Sequence, residues 1–111
     1  MTTETVVIRK DLPTYAYLIV TSGPRRGLIL QIQPETTSIG RAQDCDLRLD
    51  DPTVSTHHAR VRRNANNGFT LIDLGGANPT RVNGRRTQQH QLKPNDRIQI
   101  GETTLVFKQA G

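Results

Sequence analysis

The chain has 111 residues and a formal net charge of +5, enough for one hydrophobic core and too few for a second domain. Aromatic residues make up 4% and tryptophan is absent, so Val, Ile and Leu must build most of that core. No apolar run is long enough for a membrane-spanning helix, and the positive charge admits either an anionic partner or plain solubility without choosing between them.

Met1 to Thr14 has no clear periodicity, is rich in threonine and charge, and closes at Pro13. It is read as a flexible tail over 1–14, with one domain over 15–111. Tyr15–Thr21 reads as a strand of β-branched and aromatic residues, followed by a Gly- and Pro-bearing turn over Ser22–Gly27. Leu28, Leu30 and Ile32 alternate with Ile29 and Gln31 as a second strand, and Thr36–Ile39 forms a third after a turn at Pro34. Leu47 and Leu49 alternate with Asp46, Arg48 and Asp50. Ala59 and Val61 alternate with Arg60 and Arg62, which turns those arginines to solvent. Asn64–Gly68 is a loop. Phe69, Leu71 and Asp73 share one face of the next strand, and Gly75–Pro79 is a turn.

Asn83-Gly84 predicts a hairpin between Thr80–Val82 and Arg85–Thr87, because both central residues of a type I′ turn need positive φ. After a turn at Pro94, Asn95 and Asp96, the pair Ile98 and Ile100 marks a strand, and Thr103–Lys108 closes the domain. Many short strands with turns between them and no helical period predict an all-β sandwich or barrel.

The stretch from Ser38 to Ala59 carries the chemistry. Gly40 and Arg41 end one strand, and Ser55, Thr56, His57 and His58 lead into another. Arginine offers a planar fork of donors, and hydroxyls offer adjustable ones, which is what a phosphate needs. The lone Cys45 excludes an internal disulfide and fits a reducing compartment. It lies between Asp44 and Asp46, which raise a thiol pKa, so a catalytic thiolate is not expected. No charged-then-apolar leader opens the sequence, and a cytoplasmic protein is expected.

Five blocks in order resemble the forkhead-associated (FHA) domain, a phosphothreonine-peptide reader. They are Gly40-Arg41; Cys45 to Asp51; Ser55-Thr56-His57-His58-Ala59; Asp73 to Gly84; and Leu92 to Gly101. The resemblance implies a two-sheet antiparallel β-sandwich with its reading loops at one end. It implies that Arg41 grips the phosphate, that Ser55 donates its hydroxyl, and that Thr56 lies beside them. Asn78 is either the asparagine that holds the bound peptide's backbone or an ordinary turn residue. Gly40, His58 and Asp73 support the site, and His57 is exposed. Five residues in three places depart from the family pattern. Thr56 replaces a common cation, Gly76-Ala77-Asn78-Pro79 replaces Ser-Thr-Asn-Gly, and Asn95 replaces a glycine. Weakened binding is expected, since a charged hydrogen bond is worth ~1.5–3 kcal/mol.

Several further expectations follow from the same reading. The partner is a phosphothreonine-containing protein, either a Ser/Thr kinase or a kinase substrate, with no membrane, cofactor or metal. The segment Glu4-Thr5 is either a disordered leader or, as it resembles the phosphorylated tail of actinobacterial FHA regulators, one that folds back into its own site, with Thr5 the phosphorylation site; Val6 stands where that family has a second threonine. A Cys45–histidine–aspartate enzyme is rejected because the thiol environment opposes it. A metal site is rejected because adjacent histidines on a strand point apart. Two rivals remain: a phosphate-independent interaction domain, and a nucleic-acid surface built from Arg60, Arg62, Arg63, Arg81, Arg85 and Arg86. The second lacks a recognition helix and has few aromatics for base stacking.

Overall fold

A computed structural model describes residues 15–110, with the side chain of Ala110 left aside. The tail reading over 1–14, including Thr5, lies outside the described residues. Eleven strands run in chain order: β1 (Tyr15–Ser22), β2 (Ile29–Gln31), β3 (Thr36–Gly40), β4 (Leu47–Arg48), β5 (Ala59–Arg63), β6 (Phe69–Asp73), β7 (Thr80–Val82), β8 (Arg85–Arg86), β9 (Gln89–Gln91), β10 (Arg97–Ile100) and β11 (Thr103–Ala110). They form a six-stranded sheet, β2-β1-β11-β10-β7-β8, and a five-stranded sheet, β4-β3-β5-β6-β9.

Alternation builds the core. In β1, Ala16, Leu18 and Val20 are buried while Tyr15, Tyr17 and Ile19 are half-buried. In β10, Ile98 and Ile100 are fully buried between the exposed Arg97 and Gln99. Phe69 of β6 and Phe107 of β11 meet across the sheets with ring centroids 5.4 Å apart and a 59° tilt. That tilted geometry suits the ring quadrupoles, and such pairs add ~0.5–1.5 kcal/mol beyond area burial.

The Asn83-Gly84 turn forms as predicted, with φ of 51° and 85°. Asn95 also takes positive φ, at 74°, a conformation asparagine tolerates better than most residues. Asp96 ties this end together. Its buried carboxylate accepts from Asn83 Nδ2 at 2.9 Å and Lys93 N at 2.8 Å, and lies 2.9 Å from His90 Nε2.

Two features differ from the sequence reading. Gln89–Gln91 is a strand, paired with Thr70–Ile72 of β6. Its side chains are polar throughout, so no alternation marks it, and its pairing comes from the sheet edge it completes. Every strand pairing is antiparallel except one: β3 and β4 run parallel through Ile39↔Leu47 and Gly40↔Arg48. So short a parallel contact is reached by the 41–46 loop, with no crossover helix.

Candidate functional site

The loops after β3, after β4 and after β6 meet at one end of the sandwich, and backbone bonds knit the first two together. Arg41 N donates to Ser55 O at 3.0 Å, and Ala42 N donates to Thr56 O at 3.1 Å. His58 N donates to Ile39 O, and Leu49 N donates to Gly40 O. This contact is why position 40 is glycine. A Cβ there would lie 2.2 Å from Thr56 O and 3.0 Å from Cys45 Sγ.

Arg41 is exposed, and its Nε donates to Val54 O at 3.0 Å. The stem is thereby fixed, while its two terminal amino groups have no partner among the described residues. Ser55 is half-buried, and its Oγ accepts from Ala77 N at 3.2 Å. The hydroxyl proton is left to donate outward. Gly76 makes that approach possible, because a Cβ there would lie 2.3 Å from Ser55 Oγ. Thr56 is exposed beside it. Asn78 is exposed and donates from Nδ2 to Thr53 O at 2.8 Å, so one of its amide protons already braces the β4–β5 loop.

His58 is fully buried, and its Nδ1 accepts from Ser55 N at 3.0 Å. Burial lowers its pKa below the ordinary 6.5, against the Asp73 charge and the Asn78 backbone, which favour the ring proton. A neutral ring is what this contact requires, since only an unprotonated Nδ1 accepts. Asp73 accepts from Thr80 Oγ1 at 2.8 Å and from Gly75 N at 3.3 Å, holding both ends of the 75–79 loop.

Sequence reasoning missed three supports. Asp51 is buried, accepts from Thr53 N and Thr53 Oγ1, and accepts from Thr103 Oγ1 at 2.8 Å. Burial alone would raise its pKa, but these bonds outweigh it and lower it. Thr53 Oγ1 in turn accepts from Glu102 N at 2.8 Å, so the β10–β11 turn buttresses the site. Arg48 is the third; its Nε donates to Arg41 O at 3.4 Å, which brings a second guanidinium to the same loop. The strand alternation that turns Arg48 away from Leu47 and Leu49 was the available signal.

The rejected Cys45–His57–Asp44 grouping is brought together. His57 Nε2 lies 3.3 Å from Asp44 Oδ1. Yet the Cys45 thiol donates to Thr56 O rather than to a base, and burial first, then Asp44, push its pKa up. A raised thiol pKa works against a nucleophilic role. His57 and His58 lie in the β4–β5 loop rather than on a strand, one exposed and one buried. His57 needs no adjacent histidine to form a ligand cluster: Asp44, Cys45 and His57 place their ligand atoms within 4.8 Å of one another.

The arginines of the proposed nucleic-acid surface divide between the sheets, with Arg60, Arg62 and Arg63 on β5 and Arg81, Arg85 and Arg86 on β7 and β8. Arg63 is half-buried with its guanidinium carbon 4.6 Å from the Phe69 ring centroid.

Residues 37–101 match the family model of the FHA domain. The chain is 42% identical over 92 residues to an oxoglutarate dehydrogenase inhibitor of Corynebacterium jeikeium, covering 83% of this chain and 63% of that protein. It is 41% identical over 95 residues to the glycogen accumulation regulator GarA of Mycobacterium tuberculosis, covering 86% of this chain and 58% of that one. The chain therefore spans about three fifths of the length of these relatives. A solved structure from a structural and functional analysis of phosphothreonine-dependent FHA domain interactions superposes with a TM-score of 0.78 at 31% identity, covering 85% of this chain and 95% of that one.

Proposed function

The chain belongs to the FHA-domain family, and on that premise we propose that its loop end reads phosphothreonine in a partner protein. One observation carries this reading. Arg41 is braced at Nε by Val54 O, which leaves its amino fork free, while Arg41 N bonds the backbone of Ser55, whose hydroxyl proton is also free. A fixed guanidinium fork and an adjustable hydroxyl on adjoining loops suit a phosphate dianion. Thr56 and Asn78 flank the pair and would meet the peptide itself. Gly40, His58 and Asp73 hold the loops and take no part in contact.

The role is recognition rather than catalysis. The relatives are by name an inhibitor and a regulator, and the partner class is a threonine-phosphorylated kinase or kinase substrate. Because those relatives are longer, the whole protein's targets are part of the proposal. Phosphorylated Thr5 is proposed to occupy the same site in cis. A peptide library presented with and without phosphothreonine tests the reading. Enrichment confined to phosphothreonine supports it, and equal capture of both forms replaces it with a phosphate-independent interaction domain.

A further inference from the structure

The Asp44, Cys45 and His57 grouping is a ligand set that phosphate reading does not need. Asp44 and Cys45 belong to the 41–46 loop, and His57 belongs to the β4–β5 loop. Their ligand atoms, a carboxylate oxygen, Sγ and an imidazole nitrogen, all lie within 4.8 Å of one another. The His57–Asp44 edge is 3.3 Å. A tetrahedral zinc ion with bonds of ~2.0–2.3 Å sets its ligand atoms ~3.5 Å apart. From at most 4.8 Å the trio therefore needs to close by about 1.3 Å or less, and two of its three side chains are free to move. The side chains of His57 and Asp44 are 55% and 76% exposed. Cys45 is the fixed member, buried beneath Gly40, where any larger residue would crowd its sulfur.

The ligand chemistry narrows the ion. Thiolate and imidazole favour a borderline-soft metal over Mg²⁺ or Ca²⁺, which take oxygen ligands. The aspartates on either side of Cys45 oppose a free thiolate but attract a cation. Thr56 O, which now accepts from the thiol, keeps its bond from Ala42 N once that proton is gone.

We propose that Asp44, Cys45 and His57 form a binding site for a divalent thiophilic metal, best matched by Zn²⁺, that clamps the 41–46 loop to the β4–β5 loop. On binding, the metal–sulfur bond forms as the sulfur–hydrogen bond breaks, and the proton leaves to solvent. His57 ligates as the neutral ring. Three protein ligands leave a fourth position for water, the arrangement of an open site. The site does not depend on phosphate recognition.

The test uses the full chain, stripped of metal and titrated with Co²⁺ alone, then with Zn²⁺. Wild type is expected to show a thiolate-to-cobalt charge-transfer band saturating at one equivalent, and a higher thermal midpoint with Zn²⁺. His57→Ala changes only an exposed side chain, so it should fold normally and bind the metal at least tenfold more weakly. Cys45→Ala should lose the band outright. Absence of the band in wild type overturns the proposal, as does an unchanged band or an unchanged zinc-induced rise in midpoint in folded His57→Ala.

Discussion

The backbone N–H of Ser55 donates to Nδ1 of His58 across 3.0 Å. The residue that offers a hydroxyl at the surface is thus aimed by an imidazole with no exposure of its own. His58 also donates its own N–H to Ile39 O and accepts from Leu74 N, so one buried residue joins β3, the β4–β5 loop and the end of β6.

His58→Ala should cost stability rather than affinity per folded molecule. The substitution strands the part-buried Ser55 N–H, a loss of ~1–3 kcal/mol. Acid should act in the same direction. The folded-state pKa lies below 6.5, so the unfolded chain binds the proton more readily. The ring's contribution is then full above about pH 6.5 and is lost as pH falls through that value toward the lower folded pKa. Chemical denaturation at pH 7.5 and pH 5.5 checks both effects. A His58→Ala melt equal to wild type would contradict the anchoring role.

Asp51 predicts a second acid transition. Its folded pKa lies below 3.8, held there by Thr53 and Thr103 against the effect of burial. Its stabilising contribution is complete above that value and disappears as pH falls below it. Asp51→Asn keeps the shape but cannot accept all three bonds, so a loss of ~1–3 kcal/mol at neutral pH is expected. Thermal melts between pH 2 and pH 7 read it. Equal stability of the variant across that range would mean that the carboxylate does not brace the loop.

Much of this architecture is legible in local pattern. Alternation at Leu47, Leu49, Ala59, Val61, Ile98 and Ile100 marks strands and their buried faces, and Asn83-Gly84 marks its hairpin. What pattern cannot carry is pairing at a distance. Nothing in Gln89–Gln91 marks a strand until β6 offers it an edge. Asp51 reads as a loop aspartate until β11 brings Thr103, which is 52 residues away in sequence, to its carboxylate. The same holds at the site. The motif blocks name Arg41, Ser55 and Asn78, but only the folded loops show Arg41 braced on Val54 and Asn78 turned onto Thr53. His57 reads as merely exposed until its loop folds against Asp44 and Cys45.

Thr56→Arg should tighten phosphopeptide binding about tenfold, or ~1.4 kcal/mol. Thr56 is exposed next to Ser55, so a longer cationic side chain has room to reach an added phosphate. Fluorescence anisotropy with a labelled phosphopeptide gives the ratio. No gain would place this side chain away from the phosphate.

Phosphorylation of Thr5 should close the site in cis. An extended chain covers ~3.3 Å per residue, so ten residues before β1 can reach across a small domain. Tethering supplies a roughly millimolar effective concentration, which suits even a weakened site. Amide shifts at Arg41, Ser55 and Asn78 that follow Thr5 phosphorylation, do not depend on protein concentration and are absent in Thr5→Ala would show it. A phosphorylated chain that still binds added phosphopeptide at full affinity would refute it.

Titration calorimetry of one phosphothreonine peptide against wild type and Arg41→Ala, with the unphosphorylated peptide alongside, bears most directly on phosphate reading. Arg41 follows β3 at the surface and its side chain spends only Nε on the fold, so the variant should keep its circular dichroism and melt. Binding by wild type should require the phosphate, and Arg41→Ala should lose ~2–5 kcal/mol of it, which puts the complex beyond detection. A folded Arg41→Ala that binds the phosphopeptide as wild type does would contradict the assignment.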